Sequence, residues 1–71
     1  MEAKFQVGDV LVRSAYKDSK SKVMRDEQRV VAIESDEHPI CPQTFYTLID
    51  FRGKVAHGLQ SIMEECFEKV N

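Results

Sequence analysis

The sequence has no tryptophan, few glycines, prolines and cysteines, and no long apolar run. Three glycines and two prolines among 71 residues argue against a low-complexity or disordered chain. The longest apolar runs, residues 10–12 and 30–33, are far shorter than the roughly 20 residues that a membrane helix needs. The opening residues, MEAK, are not followed by the apolar core of a secretory signal. We therefore expect a cytoplasmic location.

The size and the cysteine content restrict further the classes of protein to which this chain could belong. Residues 1–71 are expected to form a single domain, too small for a separate catalytic lobe. Cys41 and Cys66 permit at most one disulfide, and without a secretory signal free thiols in a reducing compartment are expected. No cofactor-binding motif is present, and none is predicted. A chain of this length rarely builds a water-excluding cleft, so we expect no enzymatic activity.

The apolar residues favour a sheet. Val, Ile, Phe, Tyr and Thr occupy 20 positions, whereas Leu and Ala together occupy 7. Branched and aromatic side chains suit a pleated, half-buried surface. Strands are predicted at residues 10–13, 28–35, 44–51 and 55–59, with Val23 and Met24 as an extension of the second. Residues 14–22 and 36–43 are predicted loops, and 52–54 a tight turn.

The tail, residues 61–70, allows two interpretations. Ser61 and Glu64 could form a capping box that starts a helix. Alternatively, one helical turn at 61–65 is followed by a closing strand at 67–70, which we favour because an isolated helix of about ten residues is marginal. Five strands then suit a small barrel, since closure removes exposed edges. The predicted core comprises Val10, Val12, Val31, Ile33, Phe45, Leu48, Ile49 and Val55.

The opening segment, residues 5–12 with the letters FQVGDVLV, resembles the "F-x-V-G-D-x-V" start of small SH3-like barrels found in many bacterial and phage proteins. The later segments 29–33, 45–55 and 66–70 are similar to the strands and the close of such barrels. The resemblance implies an all-β, five-stranded SH3-like barrel with one helical turn near the C-terminus. Such barrels serve as protein adaptors, peptide readers or nucleic-acid modules, so the fold does not select a function. A polyproline groove is disfavoured without tryptophan.

Charge is distributed unevenly along the chain. The net charge is −2 overall, but it is +3 over residues 12–30 and −4 over residues 31–71. Such opposite charges favour an electrostatically steered protein partner or self-association. The basic stretch, which we call the basic segment, could instead contact phosphates, with a tyrosine available to stack on a base. Its residues are Arg13, Tyr16, Lys17, Lys20, Lys22, Arg25 and Arg29.

A metal site is a weaker hypothesis. His38 and Cys41 are three residues apart, and His57 and Cys66 could complete a four-ligand zinc site. The spacing disfavours zinc because tight sites usually combine two closely spaced pairs. The sequence therefore predicts a non-enzymatic binding module that acts through protein–protein interaction, as small phage or bacterial accessory and host-modulating proteins do. The alternative is an RNA- or DNA-binding module that uses the basic segment.

Overall fold

The computed structural model describes residues 3–37, 39–40 and 42–71. Five antiparallel strands form one sheet, which confirms the mainly β class predicted from the composition. No helix in these described ranges is long and apolar enough to cross a membrane. The elements are β1 (Val10–Arg13), a 3-10 helix (Ser14–Tyr16), α1 (Lys22–Arg25), β2 (Gln28–Asp36), β3 (Gln43–Asp50), β4 (Val55–Leu59), α2 (Gln60–Cys66) and β5 (Phe67–Lys69).

The strand order is β4-β3-β2-β1-β5. The two end strands, β4 and β5, are not paired with each other, so closure into a barrel is not confirmed. β2 and β3 are the longest strands and pair along most of their length. Their hairpin makes the molecule elongated, with principal extents of 43 × 22 × 17 Å.

A Gly–Asp turn attaches the first segment to β2. Gly8 has a φ of 98°, which glycine adopts at little cost. The Asp9 carboxylate accepts a hydrogen bond from the Gln6 amide at 2.9 Å, so it stabilises its own turn. The Gly8 amide donates to the Val30 carbonyl at 2.8 Å, and the Val30 amide donates to the Asp9 carbonyl at 2.9 Å.

Two short helical pieces interrupt the region between β1 and β2. The loop predicted at residues 14–22 contains the 3-10 helix, and α1 includes Val23 and Met24. The interpretation of these two residues as a strand extension is therefore wrong. The Ser21 hydroxyl caps α1 by accepting from the Met24 amide at 3.3 Å. The helix ends at Asp26, whose φ of 42° turns the chain into β2.

The tail is a helix followed by a strand, which confirms the favoured interpretation. α2 has seven residues, about two turns, so it is longer than the single turn predicted. Its N-cap is Leu59, and Ser61 forms no cap. β5 then pairs antiparallel with β1, which places Phe67 opposite Arg13 and Lys69 opposite Leu11.

The core lies on the α2 side of the sheet and differs from the predicted set. Among the eight predicted core residues only Val12 and Leu48 are buried, while Val31, Ile33 and Val55 are exposed and the other three are half-buried. Val30 lies opposite the buried Leu48 and points inward, whereas Val31 is the extra residue of a bulge between Val30 and Ala32 and is exposed. The buried apolar residues are Phe5, Leu11, Val12, Val30, Tyr46, Leu48, Met63 and Phe67.

β4 approaches α2 closely at Gly58. A Cβ at this position would lie 2.5 Å from Sδ and 2.7 Å from Cγ of the buried Met63. Gly58→Ala is therefore expected to lower the free energy of unfolding by about 1–3 kcal/mol, because Met63 must leave its place in the core. Urea denaturation measures the change. In a Met63→Ala background the same substitution should cost clearly less; an equal cost in both backgrounds would contradict the clash.

Candidate functional site

The side of β2, β3 and β4 opposite α2 forms a surface that we call the outer face. Residues directly opposite each other in antiparallel strands share a side of the sheet, so the registers of β2–β3 and β3–β4 place the outer side chains in three rows. Each row crosses all three strands. The rows are Arg29–Ile49–Val55, Ala32–Thr47–His57 and Glu34–Phe45–Leu59.

Apolar side chains dominate the first and third rows. Phe45 and Ile49 on β3 are half-buried, whereas Val55 and Leu59 on β4 are 55% and 38% exposed. Three of these four residues belong to the core set predicted from the sequence. The buried cluster instead forms on the opposite side, around Tyr46, Leu48 and Met63. Val55 and Leu59 are thus exposed to solvent beside the half-buried Phe45 and Ile49.

A polar group lies in the middle row. The Thr47 hydroxyl donates to Oε2 of Glu34 at 2.9 Å and lies 3.1 Å from Nδ1 of His57. Because this hydroxyl gives its proton to Glu34, it accepts from Nδ1–H of His57. In the neutral imidazole Nε2 is then left as an acceptor. The ring also packs edge-on against Phe45, with centroids 5.8 Å apart.

A shallow groove of about 420 Å³ crosses the end of the outer face. It is lined by Glu34, Phe45, His57, Gly58 and Leu59. An apolar side chain in this groove would contact Phe45 and Leu59, and a polar atom beside it could bond to His57 or Glu34. The groove combines apolar surface with a few fixed polar atoms, as binding surfaces do.

The structure divides the basic segment between three places. Arg13, Tyr16 and Arg25 line a groove of about 250 Å³ against Phe67. Lys20 and Lys22, again with Arg25, line a second groove beside the exposed ring of Phe51. Arg29 is on the outer face, next to Ile49.

Several cations of the basic segment are already engaged within the chain. Lys17 forms an ion pair with Glu68 at 3.4 Å, and Arg25 forms one with Glu27 at 2.8 Å. Arg25 also donates to the Lys17 carbonyl. The Arg13 guanidinium lies 5.7 Å from the centroid of the Phe67 ring, and the Lys22 ammonium lies 4.7 Å from that of Phe51. A phosphate would have to compete with these contacts.

The proposed zinc ligands are only partly described. His38 and Cys41 lie outside the described residues. His57 is on the outer face and Cys66 is an exposed free thiol at the end of α2. Within the described ranges no three His, Cys, Asp or Glu residues are grouped so as to hold a metal ion.

Comparison with protein-family models, curated proteins and solved structures gave no match to this chain. Its function is therefore inferred from the surfaces that its own residues form.

The outer face could not be found from alternation alone, because β3 has apolar residues on both sides. The two sides of the sheet are distinguished by Gly58 and Tyr46, which are paired across β3 and β4 and both face α2.

Proposed function

We propose that this chain is a non-enzymatic protein-binding module and that the outer face is its binding surface. The observation that carries the proposal is the group of apolar side chains on the outer face, in which Val55 and Leu59 are exposed beside the half-buried Phe45 and Ile49. An apolar group of this kind on a small folded domain marks an interaction site, because exposing it to water has a free-energy cost. The SH3-like resemblance and the cytoplasmic location stay predictions.

The charges at the margins of the outer face indicate the chemistry of the partner. Arg29 is at one end of the first row and Glu34 is at one end of the third row, and both residues belong to β2. Neither residue forms an ion pair with another described residue. A partner with an apolar centre, a carboxylate at one end and a cation at the other would complement this arrangement. Protein surfaces supply that combination, and a nucleic-acid backbone does not.

The contacts of the basic segment and the overall charge also support a protein partner. Lys17 and Arg25 are paired with carboxylates of the same chain, and the net charge is −2. Phosphate contacts gain affinity when free cations release the counterions of a nucleic acid. Nucleic-acid binding through Lys20, Lys22 and Arg29 remains the alternative function, and one experiment separates it from protein binding.

The proposal predicts which variant loses its partner. The chain is immobilised, incubated with a lysate of its host cells with or without nuclease, and the retained protein is then purified for titration calorimetry. Phe45→Thr combined with Ile49→Thr is expected to weaken that binding at least about tenfold, because apolar anchors carry most of an interface's affinity. Both substitutions keep a β-forming residue in the strand.

Two controls accompany this experiment. Val7→Thr changes an exposed apolar residue away from the outer face and is expected to bind as wild type does. Lys17→Gln, Lys20→Gln and Lys22→Gln together remove three cations of the basic segment and are also expected to preserve binding. Recovery that nuclease abolishes, or that the triple variant alone loses, would favour nucleic acid and overturn the proposal.

A further inference from the structure

The apolar side chains of the outer face are arranged symmetrically about its middle row. On β3, Ile49 of the first row and Phe45 of the third row are each two residues from the middle row. On β4, Val55 and Leu59 are related in the same way. Each end of the outer face therefore presents one apolar side chain from each of these two strands.

The charges on β2 change sign between the two ends of the outer face. Arg29 in the first row and Glu34 in the third row are both exposed. Glu34 accepts a hydrogen bond from the Thr47 hydroxyl, but within the described part of the chain neither Glu34 nor Arg29 forms an ion pair. One unpaired charge of each sign thus accompanies the apolar side chains.

The surroundings of the two ends preserve this difference in sign. Beside the first row, the carboxylates of Glu27 and Asp50 are each paired with an arginine, so the charge of Arg29 is not cancelled there. Beyond the third row Asp36 adds negative charge, and residues 30–51 contain no lysine or arginine. The first-row end is therefore positive and the third-row end is negative.

We propose that a second copy of this chain covers the outer face, related to the first by a two-fold axis that lies between the two sheets and runs across the strands along the middle row. The first row of each copy then faces the third row of the other. Phe45 packs against Ile49 of the second copy, and Val55 packs against Leu59 of the second copy. The inference rests on the proposed function, because it names the partner of the same surface.

The charges select this orientation. Arg29 faces Glu34 of the second copy, and the two-fold symmetry forms this pair twice. Sheets packed face to face lie about 10 Å apart, a distance that an arginine and a glutamate side chain can span together. An axis parallel to the strands would instead place Arg29 over Val55 and bury its charge without a partner, which is costly. A second copy therefore supplies both charges at the spacing that the outer face requires.

Sedimentation velocity of the purified chain over a range of concentrations tests the association. Three rows of three side chains make a small interface, so we expect a dimer with a dissociation constant on the order of 100 μM. Arg29→Glu and Glu34→Arg each place like charges opposite each other at two points of the interface. Either variant alone is expected to dimerise at least about tenfold more weakly than wild type. The melting temperature of each variant verifies that it is folded.

The same two variants test the orientation. Mixed in equal amounts, Arg29→Glu and Glu34→Arg are expected to form a heterodimer, because every contact between like charges then becomes one between opposite charges. Both substitutions in one chain are expected to restore the homodimer. Lys20→Glu and Glu65→Arg are the matched controls, since they make the same changes in net charge at exposed positions away from the outer face. Each control alone should dimerise as wild type does.

Three results would overturn the inference: a wild type that stays monomeric up to about 1 mM, charge-reversal variants that do not recover when they are mixed or combined, or a dimer that persists in Phe45→Thr, Ile49→Thr. The proposed function is tested separately, by the protein that this last variant retains from the lysate. If the purified chain is monomeric but the variant loses a lysate protein, the outer face binds another protein and only the second copy is excluded.

Discussion

Leu48→Ala is expected to lower the free energy of unfolding by about 2–5 kcal/mol, because it leaves a cavity in a close-packed core. Leu48 is 2% exposed and lies opposite Val30, which is completely buried. It belongs to the buried cluster that also contains Tyr46 and Met63. Small domains have a total stability of about 5–15 kcal/mol, so this single change removes a large share of it. Urea denaturation of the dilute chain measures the loss.

Ile33→Ala is the matched control for that variant. Ile33 is 37% exposed and lies beyond the bulge in β2, on the arm formed by the β2–β3 hairpin. Its truncation leaves no closed cavity, so the expected cost is below about 1 kcal/mol. An equal loss of stability in the two variants would contradict the exposed position of Ile33.

Tyr46→Phe is expected to lower the free energy of unfolding by about 1–3 kcal/mol, because it leaves the buried Phe5 amide without its acceptor and removes one of the donors to Glu64. The Tyr46 hydroxyl donates to Oε2 of Glu64 at 2.6 Å and accepts from the Phe5 amide at 3.2 Å. The same carboxylate oxygen accepts from the Lys4 amide and from Nε2 of Gln60, both at 2.9 Å. One hydroxyl therefore connects β3, α2 and the N-terminal segment.

This hydrogen bond also predicts how stability depends on pH. Burial, assisted by the bond to Glu64, raises the pKa of Tyr46 to about 12 from 10.0. The bond from Tyr46 lowers the pKa of Glu64 from its ordinary 4.5. The contribution of Tyr46 is present below pH 10 and is lost as the pH rises towards 12. The contribution of Glu64 is present above pH 4.5 and is lost as the pH falls through its lowered pKa.

The melting temperature as a function of pH checks this dependence. Tyr46→Phe is expected to show a smaller alkaline loss of stability than wild type, because the group that titrates between pH 10 and 12 is absent. Tyr16→Phe, which changes a tyrosine that is 39% exposed, is expected to keep the wild-type curve. An alkaline loss that is identical in Tyr46→Phe and wild type would contradict the role of the hydroxyl.

The sequence predicted the strands well but not which side of them is buried. The predicted strand at 55–59 matches β4, and 10–13 matches β1, because turn residues and β-branched runs mark these boundaries. Alternation shows that Phe45 and Ile49 share one side of β3 and that Tyr46 and Leu48 share the other. It does not show which side α2 will cover. A tyrosine fits the core here because Glu64 and Phe5 satisfy its hydroxyl.

Other features depend on partners that are distant in the sequence. Residues 30–33 contain no glycine or proline that would mark a bulge, and the bulge becomes visible only in the register with β3. The basic segment is continuous in the sequence, but the left-handed residue Asp26 and the cap at Ser21 turn its cations towards different grooves. The position of β4 at one end of the sheet follows from the strand order, which local sequence patterns do not specify.

The place of β1 between β2 and β5 gives the chain an order of assembly during its synthesis. β1 leaves the ribosome before the other strands of the sheet, yet its second neighbour, β5, consists of residues 67–69. Until those residues emerge, β1 has one unpaired edge, and closing so long a loop is slow. The three consecutive strands β2, β3 and β4 pair through short connections, so their pairing does not depend on residues 67–69. The strands that carry the outer face can therefore assemble on a nascent chain whose first strand is still incomplete.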